Sequence, residues 1–515
     1  MTTEEQQRVV VVRDEAPQNG REAQMHNIRA AKAVADTVRS TLGPAGMDKM
    51  MVDGHGDVIV TNDGATILHE LDVAHPGAKM VIEMAKTQES VCYDGTTSTV
   101  VLGGQLLANS EQLFQKGLHP NVVCRGFHQA AKWAVAHANE LPNGSSDLNF
   151  VAKTAMTGKA VEHSIEKASE LCVNAVLDAE GDIDRVRVVC QSGGSMEDSH
   201  LFPGIILHKE FSHETDSILN NAKVLLINTG LGEPKKEDTA NVHFASAREA
   251  KAFADLGNEA LATTVKVISD ALPQGGVVFT RDGAVERLTK PCAQQGIAVV
   301  SRVMDSDMKA LSRLLDAPII HEALSATKED ASECISIRQE SIGGMKFVVV
   351  EQPPDECPVS TLVLRGATRQ TLDEHERGFE DAIGVVSLAF RDGKVVCGGG
   401  SAYISMAQHL RQRAADMGGR EQMAVEAFAE ALEIIPATIA ENAGHDPLDT
   451  ILGLRNDHQN GKGDYGPDVE TGGTCSMSEK GVFEPLSVIT QAVQSASEVA
   501  ISILRIDDII SKRMG

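Results

Sequence analysis

The chain has 515 residues, too many for a single hydrophobic core, so two to four domains are expected. A formal net charge of −26 disfavours non-specific binding to nucleic acid or anionic membranes, and an aromatic content of 3% leaves few platforms for stacking bases. No apolar run approaches the roughly 20 residues that span a bilayer, the opening residues (MTTEEQQ) do not read as a secretory leader, and nine scattered cysteines without a C-x-x-C pair read as reduced thiols in a cytoplasm.

Residues 8–13 (RVVVVR) form a β-branched run, followed by a turn at 17–20. Met25, Ile28, Ala31, Ala35, Val38 and Leu42 recur at helical spacing, predicting a helix over 21–42. A strand is expected at 58–61, and helices at 65–71, 77–90, 96–114 and 120–141. After a turn-rich break at 142–147, a further helix is expected over 148–179. From 183 the texture changes. Strand-like runs at 184–189, 204–211, 223–228, 276–279, 297–300, 347–350 and 361–364 interleave with helical stretches at 246–272 and 306–315, an α/β pattern. Helix returns at 370–390, 400–415, 420–443 and 485–503, with a short tail strand at 506–510. This order predicts a discontinuous helical domain made from both ends of the chain, with an α/β domain inserted through a hinge piece on each side.

Three Asp-Gly pairs stand out: Asp63-Gly64, Asp94-Gly95 and Asp392-Gly393, the last just before Gly398-Gly399-Gly400. A Gly-Pro-Gly turn (41–46, TLGPAG) precedes them. Singly, each is also what an ordinary turn or helix cap contains. Together they read as one phosphate and metal site, because glycine lets backbone amides approach phosphate oxygens and Asp is a hard ligand for Mg²⁺. A second carboxylate orients a water. Asp94-Gly95-Thr96-Thr97-Ser98 stands directly before a long helix, where amides and hydroxyls bind phosphate. No Walker A loop is present, since 230–236 (GLGEPKK) lacks the Gly-Lys-Ser/Thr ending, and no dinucleotide fingerprint is present either.

The chain resembles the group II chaperonins, the thermosome and eukaryotic cytosolic type, and the related bacterial group III. The resemblance covers essentially the whole chain and is carried by residues 20–50, 60–68, 75–90, 94–98, 117–120, 154–159, 392–402 and 482–493. It implies a multidomain α and α/β fold: an equatorial ATP-binding domain (1–143 and 398–515), an intermediate hinge domain (144–212 and 362–397) and an apical substrate-binding domain (213–361) with a helical lid protrusion near 241–268. It also implies an ATPase using ATP and Mg²⁺. Leu42, Gly43, Pro44, Gly95, Thr96, Thr97, Ser98, Lys159, Gly399 and Glu484 would contact nucleotide, Asp94 would hold the metal, and Asp63 and Asp392 would orient the attacking water, Asp392 reaching it from the intermediate domain only when the hinge closes. Phe244, Phe253 and Leu256 would offer apolar contacts near the lid tip. Implied partners are non-native polypeptides and identical or homologous subunits in a cytoplasmic double ring, with no nucleic acid, no membrane and no separate lid co-chaperonin. Tyr93 departs from the pattern, standing where relatives usually have Gly before Asp-Gly-Thr-Thr. Two other readings stay open on the residues alone: a ring-forming protein that holds unfolded chains without useful turnover, and a phosphotransferase acting on a small molecule.

Overall fold

A computed structural model describes residues 20–52, 56, 58–145, 147–213, 218–232, 247–342, 344–353 and 359–508. The chain divides into two compact units, Met1–Ser169 with Arg377–Gly515, and Glu170–Glu376.

The N-terminal piece of the first unit carries α1 (Arg21–Arg39), a hairpin of β1 (Lys49–Val52) and β2 (Val58–Thr61), then α2 (Gly64–Glu70), α3 (Pro76–Cys92), α4 (Thr96–Gln115), α5 (Pro120–Glu140) and α6 (Leu148–Met156). The boundaries follow cap chemistry. Asp63 and Asp147 accept the first free amides of α2 and α6, and Pro76 and Pro120 open α3 and α5, where a missing N–H costs nothing. The central helix α4 is apolar on most of its surface, burying Val100, Leu102, Leu106 and Leu107. At Gly104 a side-chain carbon would overlap Ala35, so the absence of one lets α1 and α4 lie close together. The helix expected over 148–179 is interrupted, because Gly158 takes a left-handed backbone (φ 78°) that an α-helix cannot contain.

After the interruption α7 (Ile165–Asp178) runs into the second unit. That unit is built on β3 (Val186–Ser192), β4 (His200–Leu207), β5 (Ile218–Ile227), α8 (Ala247–Ala271), β6 (Gly276–Thr280), α9 (Glu286–Gln294), β7 (Ile297–Val300), α10 (Asp305–Leu315), β8 (Ile319–Ile320), β9 (Ser332–Ile342), β10 (Met345–Glu351) and β11 (Ser360–Gly366). The strands form one mixed sheet in the order β3-β11-β4-β10-β9-β5-β6-β7, with β8 beside β5. The pairs β5–β6, β6–β7 and β3–β11 are parallel, whereas β9–β10, β5–β9 and β4–β10 are antiparallel. Residues 224–227 of β5, together with β6 and β7, are near-continuous apolar runs because both faces are covered. Leu226, Val277 and Val300 face one core with α10, while Leu225, Val278 and Val299 face another with α8 and α9.

The chain re-enters the first unit along α11 (Arg369–Asp392). There follow β12 (Val395–Cys397), α12 (Ser401–Ala415), α13 (Glu421–Leu432), α14 (Ile434–Asn442), α15 (Pro447–Gln459), β13 (Tyr465–Pro467), β14 (Thr474–Ser476), α16 (Met477–Lys480), β15 (Phe483–Pro485) and α17 (Leu486–Leu504). The helix expected over 420–443 is split at Glu433, where Pro436 offers no N–H to the carbonyl of Leu432. Helices α12, α13 and α17 pack on α4 and α5 in one core joining both ends of the chain, with Phe127 and Phe428 edge to face at 5.6 Å. Gly20 N–H donates to Asp507 O at 2.7 Å, tying the two terminal segments together. Over the expected tail strand only Asp508 makes a bridge; 509–510 and the run at 8–13 lie outside the described residues.

Glu433, 5% exposed, receives paired bonds from Arg411 (2.5 and 2.7 Å) and Arg455 (2.8 and 2.5 Å). Burial alone would raise its carboxyl, but the bonds from Arg455 and Arg411 outweigh this and hold it below the usual value. Glu433→Ala is expected to destabilise the helical unit by about 3 kcal/mol, the low end for a broken buried pair because both guanidinium groups reach solvent. The check is a lowered thermal midpoint that Glu433→Asp only partly reproduces.

Candidate nucleotide-binding site

A cleft of about 590 Å³ opens in the first unit. Its floor is the start of α4. Gly95 caps that helix in a left-handed conformation (φ 77°), and a side chain there would strike Val488 at 2.8 Å. The turn leaves the amides of Thr96, Thr97 and Ser98 without partners inside the helix, as at every helix start. Asp94 stands one residue before, its Oδ1 accepting from Gly95 N–H at 2.7 Å. Gly64, on the first turn of α2, packs so closely on Thr97 Oγ1 that any side chain would collide.

One wall is the turn after α1. Leu42, Gly43 and Pro44 line the cleft, and Asn442 Nδ2 donates to Leu42 O at 2.8 Å to fix the turn's path. Gly43 has φ 87°. Asp63 lines the cleft as well, but much of its carboxylate serves as a cap, accepting from Ala65 N–H (3.2 Å), Thr66 N–H (2.8 Å) and Thr66 Oγ1 (2.7 Å). Three of its roughly four acceptor positions are thus occupied. Opposite these, Gly399 and Glu484 come from the C-terminal segment, where Val396 of β12 pairs with Glu484 of β15.

Lys159 reaches the cleft from the loop after α6 and donates to Asp381 Oδ2 at 2.6 Å. Burial would lower the lysine's proton affinity, but Asp381, Asp94 and Asp63 together raise it, so the ammonium stays charged. Asp381 itself is pushed up to about 7, chiefly by burial and further by Asp63 and Asp94, with Lys159 opposing. Glu484 is pushed up to about 8 by burial and the charge of Asp94. Eight carboxyls and three lysines line the cleft, which leaves it short of positive charge, the condition a divalent cation relieves. Among the described residues no three His, Cys, Asp or Glu side chains converge closely enough to hold a metal by themselves. Mg²⁺ keeps several waters and binds through one or two carboxylates plus phosphate oxygens, and Asp94 beside the start of α4 offers that donor set. The residues present therefore fit a magnesium nucleotide.

Of the residues singled out in the sequence, Leu42, Gly43, Pro44, Asp63, Asp94, Gly95, Thr96, Thr97, Ser98, Lys159, Gly399 and Glu484 all line this one cleft. Asp392 does not. It is the exposed last residue of α11, and its charge is felt instead by the buried Cys92 thiol, which burial, Asp94 and Asp392 push up to about 12. The carboxylate that α11 delivers to the cleft is Asp381, eleven residues earlier. Sequence reading passed over it because it sits mid-helix with no Asp-Gly turn to mark it. The available signal was a charged residue followed by a long apolar run (382–390). Phe244 lies outside the described residues; Phe253 and Leu256 fall within α8, with their side chains outside the description.

Chaperonin subunits are a class in which the chain leaves a helical unit, forms an α/β unit, and returns. The TCP-1/cpn60 chaperonin family model matches residues 34–514, and the chain belongs to that family. It is 43% identical to a thermosome subunit of Methanopyrus kandleri, over 96% of this chain and 93% of the relative. It is 42% identical to the thermosome subunit beta of Archaeoglobus fulgidus (100% and 96%) and 40% identical to the thermosome subunit alpha of Halobacterium salinarum (98% and 91%). The chain is an ATP-dependent group II chaperonin subunit.

Glu484→Gln is expected to stabilise the ligand-free protein at pH 8. The glutamate binds its proton more tightly folded than unfolded, so its contribution becomes increasingly unfavourable as pH rises from about 4.5 to about 8. The gain is on the order of 2 kcal/mol, less than the full 1.4 kcal/mol per tenfold change in proton affinity because water reaches the cleft. Thermal unfolding at pH 5 and pH 8 checks it: the gain must shrink at the lower pH.

Proposed function

We propose that this subunit hydrolyses ATP with Mg²⁺ in the cleft, and that turnover drives a double ring of such subunits to close over non-native polypeptides. The observation that carries the reading is the convergence of the α4 start, Asp94 and the Lys159–Asp381 pair on one cleft. Asp94 would hold Mg²⁺, which supplies charge neutralisation at the phosphates when bound. The amides and hydroxyls of Thr96, Thr97 and Ser98 bind phosphate oxygens at the helix start, and the 42–44 turn and Gly399 bound the space for the rest of the nucleotide. Glu484 contributes a hydrogen-bonding group for the ribose.

Asp381 is the proton acceptor. A carboxyl raised to about 7 is matched to taking a proton from water near neutral pH. Asp63 keeps one acceptor position for the same water, and Asp392 remains a weaker claimant because it stands off the cleft. Lys159 neutralises Asp381 in the ligand-free cleft and exchanges that partner for a phosphate oxygen on binding. The division into equatorial, intermediate and apical domains, and a built-in lid from the region containing α8, complete the reading. No described helix is long and apolar enough to cross a membrane, and the subunit is assigned to the cytoplasm with no separate lid protein.

Electron microscopy of the purified protein, with and without ATP and a phosphate-mimicking fluoride, tests this. Double rings that close only with nucleotide are expected. Rings that never close would favour a holding protein, and discrete monomers with ATPase activity would favour a small-molecule phosphotransferase.

A further inference from the structure

Tyr93 occupies the residue between α3 and the Asp94 loop in a left-handed conformation (φ 60°, ψ −2°), with its N–H donating to Glu89 O at 2.8 Å. A helix stop of this kind is glycine's natural place, and a tyrosine there is strained. Its ring has a specific destination. A side-chain carbon built at Gly384 of α11 would overlap Tyr93 Cγ and come within 2.5 Å of its Cβ and Cδ1. Gly384 is buried in mid-helix, where glycine weakens the helix relative to alanine. Two locally unfavourable choices thus meet in one contact: a tyrosine where glycine is easier and a glycine where alanine is easier.

Position matters as much as fit. Gly384 is three residues from Asp381, so both lie on one face of α11. Four residues further, Leu388 packs with Cys92 and Val488. Tyr93 also lines the cleft beside Asp94.

We propose that Tyr93 is a positioning residue: its ring seats in the notch left by Gly384 and fixes the stretch of α11 that presents Asp381 to the nucleotide. This rests on the reading of Asp381 as proton acceptor. The ring does no chemistry; it sets where the carboxylate stands, and a displacement of about 1 Å suffices to cost a large factor in rate.

The test uses the assembled full-length protein, steady-state ATP hydrolysis, and binding of a fluorescent ATP analogue. Tyr93→Gly and Gly384→Ala are each expected to lower kcat about tenfold or more while KM and analogue affinity move less than about threefold. Tyr93→Phe, which keeps the ring, is expected to retain most of the turnover. The double variant Tyr93→Gly/Gly384→Ala is expected to be no worse than Tyr93→Gly alone, since the added methyl then meets empty space. Additive losses in the double variant, Tyr93→Phe as impaired as Tyr93→Gly, or unchanged kcat in Gly384→Ala would each overturn the proposal. Wild-type protein that assembles but hydrolyses no ATP would overturn the reading of the site instead. The seat itself would then be judged by hydrogen exchange over 378–392, which must quicken in Tyr93→Gly if the contact holds α11.

Discussion

Asp381→Asn is expected to abolish most ATP turnover, by a factor of about 10²–10⁴, while nucleotide affinity changes little. The amide keeps the shape and a hydrogen-bonding oxygen for Lys159 but cannot accept a proton from water. The wild-type pH profile distinguishes this from simple disruption. Burial raises the Asp381 carboxyl above the usual carboxylate range, so turnover should rise with pH as the base form fills. In Asp381→Asn that limb should vanish. Asp392→Asn is the control, since this exposed residue lies off the cleft; a change of less than about twofold in kcat is expected. The reverse ranking of the two variants would return the water-orienting role to Asp392.

Asp94→Ala should lose at least about 100-fold in kcat/KM and most of the stimulation by Mg²⁺, because it removes the carboxylate assigned to the metal. The same substitution should make the ligand-free protein more stable above neutral pH. Asp94 is one of the charges that raise Asp381 and Glu484, so its removal lets both ionise at lower energetic cost; the support it also gives the Lys159 ammonium is smaller than that from Asp381, which stays in place. A variant that unfolds at higher temperature yet fails with ATP separates the functional role of Asp94 from a structural one. Retained Mg²⁺ stimulation would reassign the metal to Asp63 or Asp381.

Much of this cleft was legible in the sequence because the phosphate binding proposed for it places its demands on backbone. The requirement for left-handed turns leaves glycines at Gly43, Gly95 and Gly399, and the hydroxyls of Thr96, Thr97 and Ser98 at a helix start mark which turn matters. Side chains delivered from helix interiors leave no such trace. Asp381 is one acidic residue among several on α11, and only its packing partners reveal that it faces Lys159 rather than water. Gly384 likewise looks like a helix defect until Tyr93 is seen beside it. In the fold, long helices such as α3 and α4 were readable to within a few residues. Short pieces set by pairing across the chain, such as β12 with β15 and β13 with β14, were not, since three-residue strands have no periodicity to read.

The joint core of the helical unit has a consequence for how the protein is made. On the ribosome, α1, α3, α4 and α5 emerge first with their apolar faces bare, and α17, which covers part of them, follows α5 by roughly 350 residues. At about 5–20 residues per second that interval is about 20–70 s. During it Phe127 has no Phe428 to meet, while residues 170–376 can already assemble their sheet. The nascent subunit is therefore itself a long-lived, sticky folding intermediate. Its own synthesis would present already assembled rings with the kind of non-native chain they are proposed to enclose.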